Sequence, residues 1–256
     1  MPVVLYLHGI QSHPGWFTGS GAHLARAGYR VLSITRRGSG EIRWGRGDAP
    51  GAARLLDDLD DALRYARGFC RASRVHVVGV SWGGKLAAAW LACRSPSLAS
   101  ATLVAPGLAA QVDVSASTKA AIAASLACCP RRQFEIPLSE PELFTDNPAV
   151  LAYLREDPVR LKKATARFLF VSRCMDGQIA RLRRGSIEVP TTLLLASRER
   201  IIDSERTREI VGHLSADRAR VVELEGCHTL EFEPDPSAFY DELLSSLVPE
   251  PTSPAE

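Results

Sequence analysis

Three observations place this chain in the α/β class, with a mostly parallel sheet covered by helices on both faces. Its apolar runs are short and continuous, as in Val3 to Leu7 and Leu98 to Val104, the pattern of strands buried on both sides. From the start to Val104 each run is separated from the next by a helical segment, which is the βαβ rhythm of a parallel sheet. The pentapeptide Gly79-Val80-Ser81-Trp82-Gly83 then joins a valine strand directly to an Ala/Leu-rich helix. Such a G-x-S-x-G turn lifts the serine hydroxyl above the carboxyl end of a sheet.

Val3 to Leu7 opens the chain as a strand, followed by the loop His8-Gly9-Ile10-Gln11-Ser12-His13. Trp16 to Ala27 reads as a helix that Gly28 stops. Tyr29 to Ile34 is the next strand and runs into the glycine-rich Thr35-Arg36-Arg37-Gly38-Ser39-Gly40. Leu56, Leu59, Leu63 and Ala66 recur at helical spacing, with Asp57, Asp60, Asp61 and Arg64 on the wet side. The strand through Val75, Val77 and Val78 leads to Ser81 and its helix, and Leu98 to Val104 ends at Ala105-Pro106-Gly107.

The rhythm then fails. Residues 108–187 read as helical with no good strand: Ser117 to Cys129, Val150 to Arg155 and a longer helix from Pro158 to Met175. In the last, Leu161, Phe168, Val171 and Met175 form a buried stripe, with Arg160, Lys162 and Lys163 outside; Gln133 to Pro148 is expected to be coil. Strands return at Val189 to Ala196 and Arg220 to Leu224, with helices from Ser204 to His213 and Ser237 to Leu247. The expected organisation is a core of residues 1–107 and 188–248, an inserted helical lid of 108–187, and a disordered tail of 249–256.

Composition narrows the function. In 256 residues, 46% hydrophobic and 23% charged, the formal charge is only +2. The arginines are scattered and not interleaved with exposed aromatics, so no nucleic-acid surface is expected. No apolar run is long enough to span a bilayer, and the chain enters a strand by residue 3, leaving no room for a signal peptide. Six irregularly spaced cysteines read as reduced thiols of a cytoplasmic protein. The arginine loop 36–40 lacks phosphate-loop spacing, and no Cys/His cluster suggests zinc, so no cofactor and no metal are expected.

A serine at such a turn becomes a nucleophile only when a base takes its proton and a third group holds the base. Of the six histidines, His228 follows a strand within Glu225-Gly226-Cys227-His228-Thr229, at the end of the sheet where function gathers. His76 lies inside a strand, His213 closes a helix, His23 sits on an amphipathic helix, and His8 reads as a loop organiser. For the acid, both Glu199 and Asp203 follow the strand ending at Ala196; Glu199 is nearer the strand end, and either carboxylate fits. The oxyanion of an acyl-transfer intermediate needs N–H donors. Trp82, directly after the nucleophile, supplies one, and Ile10 in the loop after the first strand supplies the other. Gln11 and His13 stand at the pocket edge, and Phe168, Val171 and Met175 are expected to face the acyl pocket from the lid.

The stretches LHGIQSHPGW (5–16), DLDDALRYAR (58–67), VHVVGVSWGGKLA (75–87), VPTTLLLASRERIID (189–203) and GCHTLEFEPD (226–235) together resemble the α/β-hydrolase superfamily. Within it the chain is similar to monoacylglycerol lipase and lysophospholipase-like serine hydrolases. The resemblance spans Pro2 to about Leu247 and is weak through the lid. It implies Ser81 as nucleophile, His228 as base, Ile10 and Trp82 as oxyanion donors, and Glu199 at the usual acid position. Relatives most often carry Asp there within G-x-D-x-I, where this chain has Ser197-Arg198-Glu199-Arg200-Ile201. Relatives also carry two antiparallel strands ahead of the HG strand that this chain lacks. Either the sheet is smaller, or the chain starts late, or a homodimer covers the exposed edge.

Three functions compete. The first is hydrolysis of a carboxylic ester of a small lipid or acyl substrate through an acyl-serine. The second is a thioesterase or acyltransferase releasing an acyl product from a carrier, with Arg36, Arg37, Arg43 and Arg46 meeting a phosphopantetheine phosphate. The third is a catalytically silent fold that binds a partner.

Overall fold

The computed structural model describes residues 1–247, and the tail expected at 249–256 lies outside them. Six parallel strands form the central sheet: β1 (Val3–Leu7), β2 (Arg30–Ile34), β3 (Val75–Val80), β4 (Ser100–Val104), β7 (Thr191–Arg198) and β8 (Arg220–Cys227), in the order β2-β1-β3-β4-β7-β8. β1, β3 and β4 are buried along their whole length, which is why they read as unbroken apolar runs. The edge strands are less covered: β2 has no fully buried residue, and β8 alternates between half-buried and exposed residues until its last two. Register matters for function. Leu7 pairs with Gly79 and Val80 with Val104, so the loops after β1, β3 and β4 leave the sheet side by side.

Helices α1 (Thr18–Arg26), α2 (Ala52–Gly68), α3 (Trp82–Arg94), α7 (Ser204–Ser215) and α8 (Ser237–Ser245) cover the two faces. α2 buries Leu56, Leu59, Leu63 and Ala66, the stripe its periodicity predicts, and Leu55 beside them. α3 is buried along most of its length, and even Lys85 is only 7% exposed, paired with Asp176 at 2.7 Å. The helix predicted from Trp16 begins as a 3-10 turn (Pro14–Phe17) before α1, with His13 capping it.

The insertion between β4 and β7 corrects the all-helical expectation. It holds α4 (Ala116–Cys128), α5 (Pro148–Glu156) and α6 (Ala166–Ile179), but also β5 (Gln133–Glu135) and β6 (Lys163–Thr165), which pair antiparallel. Three-residue strands are too short for alternation to show in a sequence. β6 occupies what was expected to be the start of a longer helix. That helix begins only at Ala166, where the Thr165 hydroxyl accepts from the Phe168 N–H at 3.1 Å. Ahead of it, the Asp157 carboxylate accepts from the N–H groups of Val159 (2.8 Å) and Arg160 (3.2 Å), a turn that competes with helix. Arg160, expected outside, is 4% exposed. Phe168, Val171 and Met175 do line the buried face of α6.

Candidate active site

Ser81 sits at φ 53° and ψ −120°, a conformation that a side-chain-bearing residue rarely adopts and that the surroundings must hold. Three backbone bonds hold it. Its N–H donates to Val104 O at 2.9 Å, and its carbonyl accepts from Gly107 N at 2.8 Å and Lys85 N at 3.1 Å. The flanking glycines are steric requirements. A Cβ on Gly79 would stand 2.7 Å from Gly83 O, and one on Gly83 would stand 2.6 Å from His8 O.

His228 follows β8 directly and is 1% exposed. Its Nε2 lies 2.9 Å from Ser81 Oγ, and its Nδ1 lies 2.9 and 2.8 Å from the two carboxylate oxygens of Glu199. A carboxylate accepts, so Nδ1 carries the proton and Nε2 offers its lone pair to the serine hydroxyl. Glu199 is the first residue after β7 and is itself fixed, accepting the N–H of Ile201 at 2.8 Å and of Arg200 at 2.9 Å. Burial raises the Glu199 pKa. The charge and hydrogen bond of His228, with those two N–H groups, outweigh burial and hold it below the ordinary glutamate value. Asp203 is elsewhere: its carboxylate caps α7, accepting from Arg206 N at 2.9 Å.

The loop after β1 lies against the serine. Ile10 lines a cavity of about 10 Å³ beside Ser81, together with Gln11, Trp16, Phe17, Phe144 and His228. The Trp82 N–H heads α3, where no carbonyl four residues back within the helix can take it. His8 donates from Nδ1 to Gly9 O at 2.8 Å and accepts the Arg36 N–H at Nε2, 3.1 Å. Burial and the nearby Arg36 lower its pKa to about 3, so it is a neutral brace for the loop. Arg36 adds a second brace. Its guanidinium donates to Ile10 O at 3.0 Å and stands against the rings of both Trp82 (4.8 Å) and Phe168 (4.9 Å).

Gln11 and His13, expected at the pocket edge, tie this loop to the insertion. Gln11 Oε1 accepts from Arg160 Nε at 3.0 Å and Nη2 at 2.8 Å, and its carbonyl accepts from Leu161 N at 2.9 Å. His13 Nδ1 accepts from Gly15 N, so Nε2 donates to Asp157 at 3.0 Å; Trp16 Nε1 donates to the same oxygen at 2.8 Å. Of the two, only Gln11 lines the cavity beside Ser81. Phe168, Val171 and Met175 do not line it: they lie on the buried face of α6, with the Phe168 ring 5.1 Å from that of Trp82 in α3. The side chain that does reach the site from the insertion is Phe144, edge-on to the His228 ring at 6.2 Å. No periodicity in its proline-rich stretch marks it.

Among the described residues no cluster of His, Cys, Asp and Glu could hold a metal ion, and no helix is long and apolar enough to cross a membrane. The structure resembles a monoacylglycerol lipase from Paleococcus ferrophilus at TM-score 0.83 and 19% identity, over 96% of this chain and 93% of that one. It also resembles a soluble variant of monoglyceride lipase from Saccharomyces cerevisiae, in complex with a substrate analogue (0.84, 15%, 96% and 85%). A thermostable carboxyl esterase from Bacillus coagulans gives 0.76 at 13% identity, over 96% and 90%. These likenesses show an α/β-hydrolase fold. No curated protein sequence matches. The family model described as Hydrolase_4, serine aminopeptidase, S33, matches residues 2–235, and the chain belongs to that family of serine hydrolases.

Proposed function

We propose that Ser81, His228 and Glu199 are the nucleophile, base and acid of an esterase that cleaves a small acyl ester with an apolar acyl group. The observation that carries the reading is the unbroken relay Ser81 Oγ–His228 Nε2 and Nδ1–Glu199, all within 2.9 Å, with the His228 and Glu199 side chains buried. In the first half-reaction His228 Nε2 takes the serine proton as Oγ bonds to the ester carbonyl carbon. The N–H groups of Ile10 and Trp82 receive the oxyanion, and His228 returns the proton to the departing alkoxide. In the second half-reaction His228 deprotonates a water, which releases the acid and restores Ser81.

Ester is favoured over peptide by what surrounds the serine. An aminopeptidase must hold a free ammonium group, which calls for a carboxylate facing the acyl side. The lining of the Ser81 cavity contains Ile10, Trp16, Phe17, Phe144 and Val80, and no Asp or Glu. The mechanism would serve a thioester equally. None of the four arginines expected to meet a carrier phosphate lines the Ser81 cavity, however: Arg46 donates to the carbonyls of Val159 and Arg160, Arg37 is held by Asp58, and Arg43 is exposed. Nor does the reading invoke a second subunit, because β2 is a five-residue edge strand starting on exposed Arg30, a form of edge protection in itself.

The test compares p-nitrophenyl esters, acyl-thioesters and aminoacyl anilides with wild-type protein and Ser81→Ala. Ester turnover is expected to dominate and to fall about 10³- to 10⁶-fold in the variant. Dominant anilide turnover would replace the ester reading with a peptidase one, and activity surviving in Ser81→Ala would remove Ser81 from the mechanism.

A further inference from the structure

A second and much larger cavity, about 590 Å³, is lined by His8 and the loop after β2, and no residue lines both it and the Ser81 cavity. Its wall is two-natured. Leu7, Ile34, Leu55, Leu59 and Leu86 give it an apolar side, and four guanidiniums, Arg36, Arg37, Arg131 and Arg167, face two carboxylates, Asp48 and Asp58.

The carboxylates are already spoken for. Asp58 is held by Arg37 through two bonds, Nε at 2.8 Å and Nη2 at 2.6 Å. Asp48 accepts from Thr165 Oγ1 at 2.8 Å and from Arg167 at both oxygens. Two cations are left over. Arg131 is 81% exposed on its side chain, and its nearest carboxylate is the already engaged Asp48 at 3.8 Å. Arg36 is 6% exposed, donates only to the carbonyls of Ile10 and Arg37, and keeps its Nε buried without a hydrogen-bond partner. A buried cation without a counter-ion is costly. Burial lowers the Arg36 pKa to about 9, the same cost seen from the proton's side. At the rim stands Trp44, 82% exposed, the most exposed large hydrophobic side chain among the described residues.

We propose that this cavity is a second binding site, for an amphipathic anion: an apolar body ending in one carboxylate or phosphate monoester. The body lies along Leu55, Leu59 and Leu86, the anionic end meets Arg131 and the part of Arg36 that lines the cavity, and Trp44 packs over the ligand. Two uncompensated cations suit a single anionic head, and the volume suits a medium-sized molecule. The site is independent of the proposed esterase chemistry and stands or falls separately from it.

Decyl phosphate and decanoate, below their micelle concentrations, probe the site in the full-length Ser81→Ala protein, by calorimetry and by Trp44 fluorescence with Trp44→Phe as control. Saturable one-to-one binding is expected, unchanged when the wild-type serine is first capped with a phosphonate. Neutral decanol should bind about tenfold or more weakly, since a charge-assisted contact is lost. Arg131→Glu, and Ile42→Glu at a half-buried lining position, should each weaken binding at least about tenfold while melting temperature and ester turnover stay the same. The relative strength of the two probes identifies the head group. No saturable binding up to millimolar concentration overturns the proposal. So does binding abolished by the phosphonate, binding indifferent to both substitutions, or decanol binding as tightly as the anions.

Discussion

Glu199 and Asp203 show how four residues of separation divide two carboxylates between two tasks. Glu199 leaves β7 facing His228 Nδ1, whereas Asp203 turns back to cap α7. Glu199→Gln keeps the shape but loses the charge and the preference for one tautomer, and is expected to lower kcat/KM by about 10⁴. Glu199→Asp withdraws the carboxylate by one methylene from a 2.8 Å contact, so an intermediate loss is expected. Asp203→Asn still caps and should leave kcat/KM within about threefold, because an asparagine is as good a cap as an aspartate. Steady-state kinetics on the three variants decide it, and a severe loss at Asp203 beside a mild one at Glu199 would reverse the roles. The sequence made this division legible, since a carboxylate at a strand end and one just before a helix obey different local rules. The roles of Gln11 and His13 were not legible. Their partners Arg160 and Asp157 lie 149 and 144 residues away, and no local rule reports a contact at that distance.

At the level of elements, the insertion does two jobs with different parts. α6 packs on α3, and Phe168 is fully buried there against Trp82 and Arg36. Phe168→Ala is expected to destabilise the protein by about 3–5 kcal/mol and to leave the acyl-length profile unshifted. The segment between β5 and α5 instead reaches the serine through Phe144. The room there is about 10 Å³, one water's worth, so short acyl groups should be preferred and Phe144→Ala should move the optimum to longer chains. A p-nitrophenyl ester series from acetate to decanoate, beside urea melts, separates the two; a length shift in Phe168→Ala with none in Phe144→Ala would contradict the assignment. Helical periodicity correctly marked the buried stripe of α6 but could not say which neighbour it buries against. Buriedness is a property of one element, whereas a pocket belongs to several.

Across the whole molecule, the sheet sets both the site and the response to acid. Alternating strands and helices announced a parallel sheet, but the order β2-β1-β3-β4-β7-β8 comes from crossovers that sequence neighbours do not encode. Two histidines are buried against it, His76 within β3 and His8 just after β1. Burial, with Arg36, lowers His8 to about 3, and burial, with Arg74, lowers His76 to about 4. Since the unfolded chain protonates these rings near the ordinary histidine value of about 6.5, it binds more protons than the native state below that pH, and stability falls with pH from there toward about 4. His8 alone contributes a slope approaching about 1.4 kcal/mol per pH unit in that window. Glu199, with its lowered pKa, adds a further loss once pH drops into the carboxylate range. Urea unfolding between pH 4 and 7 is expected to show this decline and a shallower one in His76→Gln; a flat profile would mean that the rings are hydrated in the native state.

The relay itself is tested most directly by covalent capture. Wild-type protein treated with a fluorophosphonate and digested should carry one adduct, on the peptide holding Ser81, because among the described residues only that hydroxyl has an imidazole nitrogen 2.9 Å away with a carboxylate behind the ring. His228→Ala should slow labelling by about 10³-fold or more, and Glu199→Gln by a large part of that. An adduct on another residue, or ester turnover that continues in protein without any adduct, would contradict the account.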